Sequence, residues 1–170
     1  MTPDEAAAVL GAPPGDLDET VAALPGAPGL YAWWIDPDAV PALGTGLLHV
    51  GAARMLRNRI RRQDLYRTGV SRLRRVLAGL LLDDLALAPT WVADVVLPKA
   101  DEERLSAWMR PRLRLTALPD DAAAELLAPV AALLGPTGLE SDAAARAEER
   151  FVAAAGEKGP REAGVPFRRP

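Results

Sequence analysis

The sequence predicts an α+β fold, because runs of branched and aromatic residues alternate with segments of helical periodicity. The predicted strands cover Gly29–Ile35 (GLYAWWI), residues 47–51 (LLHVG) and Leu113–Pro119 (LRLTALP). The loop between the first two contains two prolines and two glycines, which favours an antiparallel hairpin. A chain of 170 residues that is 49% hydrophobic supports one core and therefore one domain.

Helices are predicted before, between and after these strands. Thr2 is expected to cap the first helix, which ends near Gly11. An arginine-rich helix from residue 53 stops at Gly69, and Ser71 caps the helix that follows. Later helices are expected at residues 101–109, 120–134 and 142–155, an extended segment at 90–98, and a disordered tail at 160–170.

Composition excludes several classes of site. The chain has no cysteine and a single histidine, His49, so it contains neither disulfides nor a multi-histidine metal cage. The first residues form no basic leader, and no apolar run reaches the roughly 18 residues of a membrane span. These features predict a cytoplasmic protein that does not enter a membrane.

Positive charge is concentrated in one short segment. The first 53 residues contain seven acids and no lysine or arginine, whereas residues 54–75 contain nine arginines and one acid, Asp64. Such a cluster attracts polyanions, so nucleic acid is the expected partner, with a solvated arginine-rich face as the alternative. The residues predicted to contact nucleic acid are Arg54, Arg57, Arg61, Arg62, Arg72, Arg74 and Arg75. The four tryptophans are expected in the core or at its rim, where one offers a base a stacking surface.

Two triplets and a following arginine carry a family resemblance. Gly29-Leu30-Tyr31 precedes His49-Val50-Gly51, and Arg59 comes next on the predicted helix. This order resembles the GIY-YIG nuclease superfamily, and it is most similar to actinobacterial members with GLYAWW followed by an arginine-rich helix. The resemblance covers residues 29–136. Residues 1–28 then form an N-terminal arm, and residues 137–170 form a C-terminal helix and flexible tail.

The resemblance implies a small three-stranded antiparallel sheet flanked by helices. It also implies cleavage of DNA in which a tyrosine assists deprotonation of water, an arginine stabilises the phosphate and a glutamate binds a divalent metal. By position the catalytic residues are Tyr31 and Arg59, with His49 in place of the second tyrosine. Gln63 stands where the family often has a histidine.

The metal ligand is the main departure from the family pattern. Pro129 falls at the position of the glutamate, and Glu125, one turn earlier, is the provisional ligand for Mg²⁺ or Mn²⁺. Three hypotheses follow. The chain is a metal-dependent endonuclease of weak or lost activity, a catalytically inactive GIY-YIG fold that binds nucleic acid, or a fold that binds another anionic ligand or partner.

Overall fold

A computed structural model of the chain describes residues 1–44 and 46–157. The tail predicted at residues 160–170 lies outside these described residues. Within the two described ranges, no helix is both long enough and apolar enough to cross a membrane.

Three antiparallel strands form the central sheet, as predicted. Strands β1 (Gly29–Ile35), β2 (Leu47–Ala53) and β5 (Leu113–Pro119) lie in the order β2–β1–β5. Both neighbours of β1 run antiparallel to it. The central position explains the composition of β1, because a strand covered on both faces is apolar almost throughout.

Helices cover both faces of this sheet. The helices are α1 (Pro3–Leu10), α2 (Leu17–Ala23), α3 (Leu56–Asn58), α4 (Arg72–Leu80), α5 (Lys99–Arg112), α6 (Ala123–Leu134) and α7 (Asp142–Ala154). One face packs Leu30 and Ala32 of β1 against α1 and α6. The other face packs Tyr31 and Trp33 into a larger core with α2, α4, α5 and α7. Because successive strand residues face opposite sides, this alternation fixes which residues share a site.

Several elements differ from their predicted form. The segment at 90–98 folds into a separate small hairpin, in which β3 (Thr90–Trp91) pairs with β4 (Val95–Val96). Helix α5 continues through Pro111 because the amide of Leu113 still donates to the Met109 carbonyl. The predicted arginine-rich helix is α3 followed by a wider turn at Arg59–Asp64.

The terminal segments belong to the same packed unit as the sheet. Helix α1 has the predicted Thr2 cap, and it packs against α6 and β5. Helix α2, which was not predicted, is capped by Asp16 and buries Leu17 in the larger core. Helix α7 packs along α4 and buries Phe151. The arm at 1–28 and the helix after 137 therefore contribute to the core that supports the sheet.

Gly79 permits the close approach of α4 and α7. A Cβ atom at this position would lie 1.8 Å from the backbone oxygen of Ala147. We expect Gly79→Ala to lower the free energy of unfolding by about 2 kcal/mol or more, because the overlap outweighs the gain of about 1 kcal/mol in helix propensity. Chemical denaturation measures the change. The control Gly15→Ala, whose added Cβ meets only Thr20 Oγ1 at 3.9 Å, should leave stability nearly unchanged. Equal stability of both variants would contradict the packing described.

Candidate functional site

Tyr31 and His49 lie on one face of the sheet, as predicted for neighbouring antiparallel strands. Tyr31 of β1 is paired with Gly51 of β2, and His49 is two residues away on the same strand. The two rings meet edge to face, with centroids 5.8 Å apart. A Cβ at Gly51 would lie 2.6 Å from Tyr31 Oη and 2.9 Å from His49 Nε2. Glycine is therefore required here for the tyrosine and histidine to approach each other.

Arg59 completes the predicted cluster. Its Nε donates a hydrogen bond to Tyr31 Oη at 3.0 Å, and its Nη1 donates to Gln63 Oε1 at 3.0 Å. Its Nη2 forms an ion pair with Asp64 Oδ1 at 3.1 Å. The Arg59 side chain keeps 28% of its surface exposed, so the residue is still in contact with solvent. The structure thus brings Tyr31, His49 and Arg59 together, as the sequence predicted.

A π-helical turn at Arg59–Asp64 makes this arrangement possible. The amide of Leu65 donates to the carbonyl of Ile60 at 3.1 Å, which is the five-residue spacing of a π-helix. The wider turn lets Arg59 contact both Gln63 and Asp64, four and five residues later. Turns of this type are rare and occur often at functional sites.

Asp64 is a central residue of the site for which no role was predicted. Its side chain is only 1% exposed. Oδ2 accepts a hydrogen bond from Trp33 Nε1 at 3.1 Å, and Oδ1 accepts one from Ser71 Oγ at 2.8 Å. Together with Arg59, these partners satisfy a buried carboxylate that would otherwise be costly. The only sequence signal was that Asp64 is the single acid among nine arginines.

Burial sets the protonation states of the cluster. Burial, with a contribution from the charge of Asp64, raises the pKa of Tyr31 to about 12, and Arg59 opposes this shift. Burial also lowers the pKa of His49 below its usual value, although the Asp64 charge opposes that change. At neutral pH the tyrosine is therefore a neutral hydrogen-bonding group. The imidazole is neutral and is able to accept a proton.

Some of the arginines predicted to contact nucleic acid are bound within the protein. The prediction for Arg74 is wrong. Arg74 is fully buried, with its Nη2 2.6 Å from Glu102 Oε2 and its Nη1 2.6 Å from the Leu65 carbonyl oxygen. It is a core residue and does not reach a ligand. Arg72 and Arg75 both form ion pairs with Glu148 of α7. The three arginines at the start of α4 are thus all paired within the protein, with two carboxylates between them.

The remaining arginines form an open surface. Arg57, Arg61, Arg62 and Arg67 are exposed and line a groove of about 880 Å³, which we call the arginine groove. Its other lining residues are Gly26, Met55, Asn58 and Tyr66. A cleft of about 250 Å³ shares Met55 and Asn58 with it and reaches Arg54, Arg59 and Gln63. Arg67 was not among the predicted contacts, although it lies in the same charged segment.

The provisional metal ligand lies away from this cluster. Glu125 is exposed on α6, the helix whose buried residues Leu126 and Val130 cover the opposite face of the sheet from Tyr31. Pro129 is on the same helix. In the part of the chain that the structure describes, no three His, Cys, Asp or Glu side chains converge as a metal site. Glu140, the acid that follows α6 in the sequence, has a charge that acts on His49.

Comparisons with known proteins do not assign the chain to a family. No protein-family model, curated protein or solved structure matched it. The GIY-YIG resemblance therefore stays a prediction, which depends on the triplets, the arginine and the geometry that surrounds them.

The buried environment of Tyr31 predicts its titration. Tyr66→Phe leaves Tyr31 as the only tyrosine, and we expect its phenolate absorbance to appear with a midpoint near pH 12. Because the folded-state pKa is raised, the stability that Tyr31 contributes is complete below about pH 10 and is lost between about pH 10 and 12. In the double variant Tyr66→Phe, Asp64→Asn, the titration midpoint of Tyr31 should be lower, because the negative charge that raises its pKa is removed. A midpoint near pH 10 in folded protein would contradict the buried position.

Proposed function

We propose that this chain is a nucleic-acid-binding domain of the GIY-YIG nuclease type, which holds the phosphodiester backbone of DNA in its arginine groove. The observation that carries the proposal is the set of four exposed arginines along one groove, Arg57, Arg61, Arg62 and Arg67. None of the four forms an ion pair with a carboxylate of residues 1–44 or 46–157. Their charges are therefore available to a ligand.

The form of the groove favours a polymer over a small anion. A single phosphate is held by two or three converging donors in a confined site, whereas these guanidinium groups border an open groove of about 880 Å³. Repeated positive charges along an open surface match the repeated phosphates of a nucleic acid. Each guanidinium also presents a planar fork that binds phosphate oxygens in pairs.

The cleft beside the groove offers a place for one phosphate of the bound strand. Exposed Arg54 and half-buried Arg59 both line this cleft. Met55 and Asn58 line both the cleft and the groove, so the two openings adjoin. A strand that follows the groove would therefore pass the guanidinium that is bonded to Tyr31.

Phosphodiester hydrolysis at this cleft is the second candidate function. It is favoured by the bond between Arg59 and Tyr31 beside a neutral imidazole at His49. In this scheme His49 accepts a proton from water as the water oxygen attacks phosphorus, and Arg59 stabilises the charge that develops on the phosphate. The P–O bond to the leaving strand breaks, and the leaving oxygen takes a proton from solvent. Tyr31 stays neutral and positions Arg59 by accepting its hydrogen bond.

The residues present do not fit the divalent cation in the form predicted from the sequence. Glu125 is on the other face of the sheet, and both oxygens of Asp64 already accept bonds from Trp33, Ser71 or Arg59. We therefore derive no step through a metal. Glu140 is the carboxylate to test in place of Glu125, because its charge acts on His49.

The binding proposal predicts a loss of affinity in a triple variant of the groove. Replacement of Arg61, Arg62 and Arg67 by alanine removes three charges from its wall. In fluorescence titrations with labelled DNA at several salt concentrations, we expect weaker binding. The slope of log affinity against log salt should become shallower by about 2 to 3, because fewer counterions are released.

The matched control removes the same number of charges elsewhere. Arg104, Arg146 and Arg150 are exposed residues of α5 and α7 that do not line the groove. Their triple alanine variant should retain the wild-type salt slope and most of the affinity. If both triple variants lost the same amount of DNA affinity, the loss would be explained by net charge alone. That result would contradict specific binding in the groove.

The catalytic candidate predicts nicking of plasmid DNA that depends on the cluster. In parallel assays with EDTA and with Mg²⁺ or Mn²⁺, we expect weak activity in the wild type, a decrease of about 100-fold or more in Arg59→Ala, and a large decrease in His49→Ala. Glu125→Gln should retain full activity, whereas Glu140→Gln tests the remaining carboxylate. Intact DNA binding without any nicking would eliminate this candidate and leave the binding proposal standing.

A further inference from the structure

Tyr66 is an exposed aromatic residue in the wall of the arginine groove. Its side chain keeps 45% of its surface exposed. The ring lines the groove and also a neighbouring pocket of about 200 Å³. The floor of that pocket includes Val21 and Leu65, which are buried, and Arg61 lines both cavities. The ring therefore stands between a basic channel and a small recess with apolar residues at its base.

The orientation of the ring is fixed from outside the groove. The Arg110 guanidinium lies over the ring, with its Cζ 5.7 Å from the ring centroid. Arg110 also donates a hydrogen bond to Tyr66 Oη and forms an ion pair with Asp18 of α2. A cation over an aromatic face is attracted to it and restrains its motion. A ring held in this way loses little conformational entropy when it contacts a ligand.

The tryptophans considered from the sequence do not offer such a surface in the groove. Trp33 is fully buried, and its indole nitrogen is bonded to Asp64. Trp34 packs on the other face of the sheet and donates to Thr116. Neither Trp91 nor Trp108 is among the residues that line the groove. Tyr66 is the aromatic residue that lines the groove.

We infer that Tyr66 stacks against an unpaired base, so that the preferred ligand of the groove is a single-stranded segment of DNA. This inference rests on the proposed function and specifies its substrate class. In a duplex the base faces are covered by their neighbours, whereas an unpaired strand exposes a π-face beside each phosphate. Arginines that follow the backbone and an aromatic ring that receives a base are the combination by which proteins bind single strands without reading sequence.

The experiment compares the full chain and two variants on matched oligonucleotides. The probes are a labelled 12-nucleotide single strand, its blunt duplex, and single strands that carry abasic sites. We expect the wild type to bind the single strand more tightly than the duplex. Tyr66→Leu should weaken single-strand binding about 5- to 150-fold, the range for loss of one stacked base. Tyr66→Phe keeps the ring and loses only the bond to Arg110, so it should retain most of the affinity.

Abasic probes separate stacking from a general effect of the substitution. Loss of bases should weaken binding by the wild type and by Tyr66→Phe, but it should have little further effect on Tyr66→Leu. Thermal melts check that all variants are folded, as expected for a residue at the surface. If folded Tyr66→Leu binds the single strand like the wild type while the groove triple variant does not, stacking is refuted and the binding proposal survives. If the wild type binds neither the single strand nor the duplex at low salt, the stacking inference and the binding proposal are both refuted.

Discussion

The geometry of the candidate site depends on the buried carboxylate of Asp64. A carboxylate in the interior is destabilising by several kcal/mol unless it is paired and hydrogen-bonded. Asp64 meets this requirement with one partner from each of three elements: Trp33 from β1, Arg59 from the start of the π-turn and Ser71 from the cap of α4. None of these elements can move far without leaving the charge incompletely paired. The same set of bonds holds Arg59 against Tyr31. The position of the cluster therefore depends on the hydrogen bonds and the ion pair that the buried Asp64 carboxylate requires.

The arginines of this chain serve two different purposes, and their partners distinguish them. Basic residues at the start of a helix oppose its dipole and usually require an anion nearby. At the start of α4 the anions are internal, because Glu102 binds Arg74 and Glu148 binds Arg72 and Arg75. These pairs connect α4 to α5 and α7, so their role is structural. In the segment before α4, Arg59 pairs with Asp64, whereas Arg57, Arg61, Arg62 and Arg67 form no ion pair with a carboxylate of the described residues and remain available to a ligand.

The fold and the cluster were predictable from the sequence to the extent that they depend on local pattern. Alternating strands fix the sides on which Tyr31 and His49 lie, and the short interval to Arg59 leaves little freedom for its placement. The errors concern contacts between distant segments. Glu102 lies 28 residues from Arg74, and no local signal shows that this arginine is buried. Glu125 was chosen because it lies one turn before Pro129, and this spacing does not reveal the face of the sheet that its helix covers.

The π-turn explains how one short segment supplies both the cluster and the groove. Arg59 and Asp64 point inward to Tyr31 and Trp33, whereas Arg61 and Arg62 point outward and line the groove. Between them Ile60 is fully buried and anchors the turn in the core. The backbone that carries the outer arginines is thus fixed before any ligand arrives, and binding has to order only their side chains. Under the proposed function, a strand held by the outer residues would lie beside the cleft that Arg59 lines, without rearrangement of the backbone.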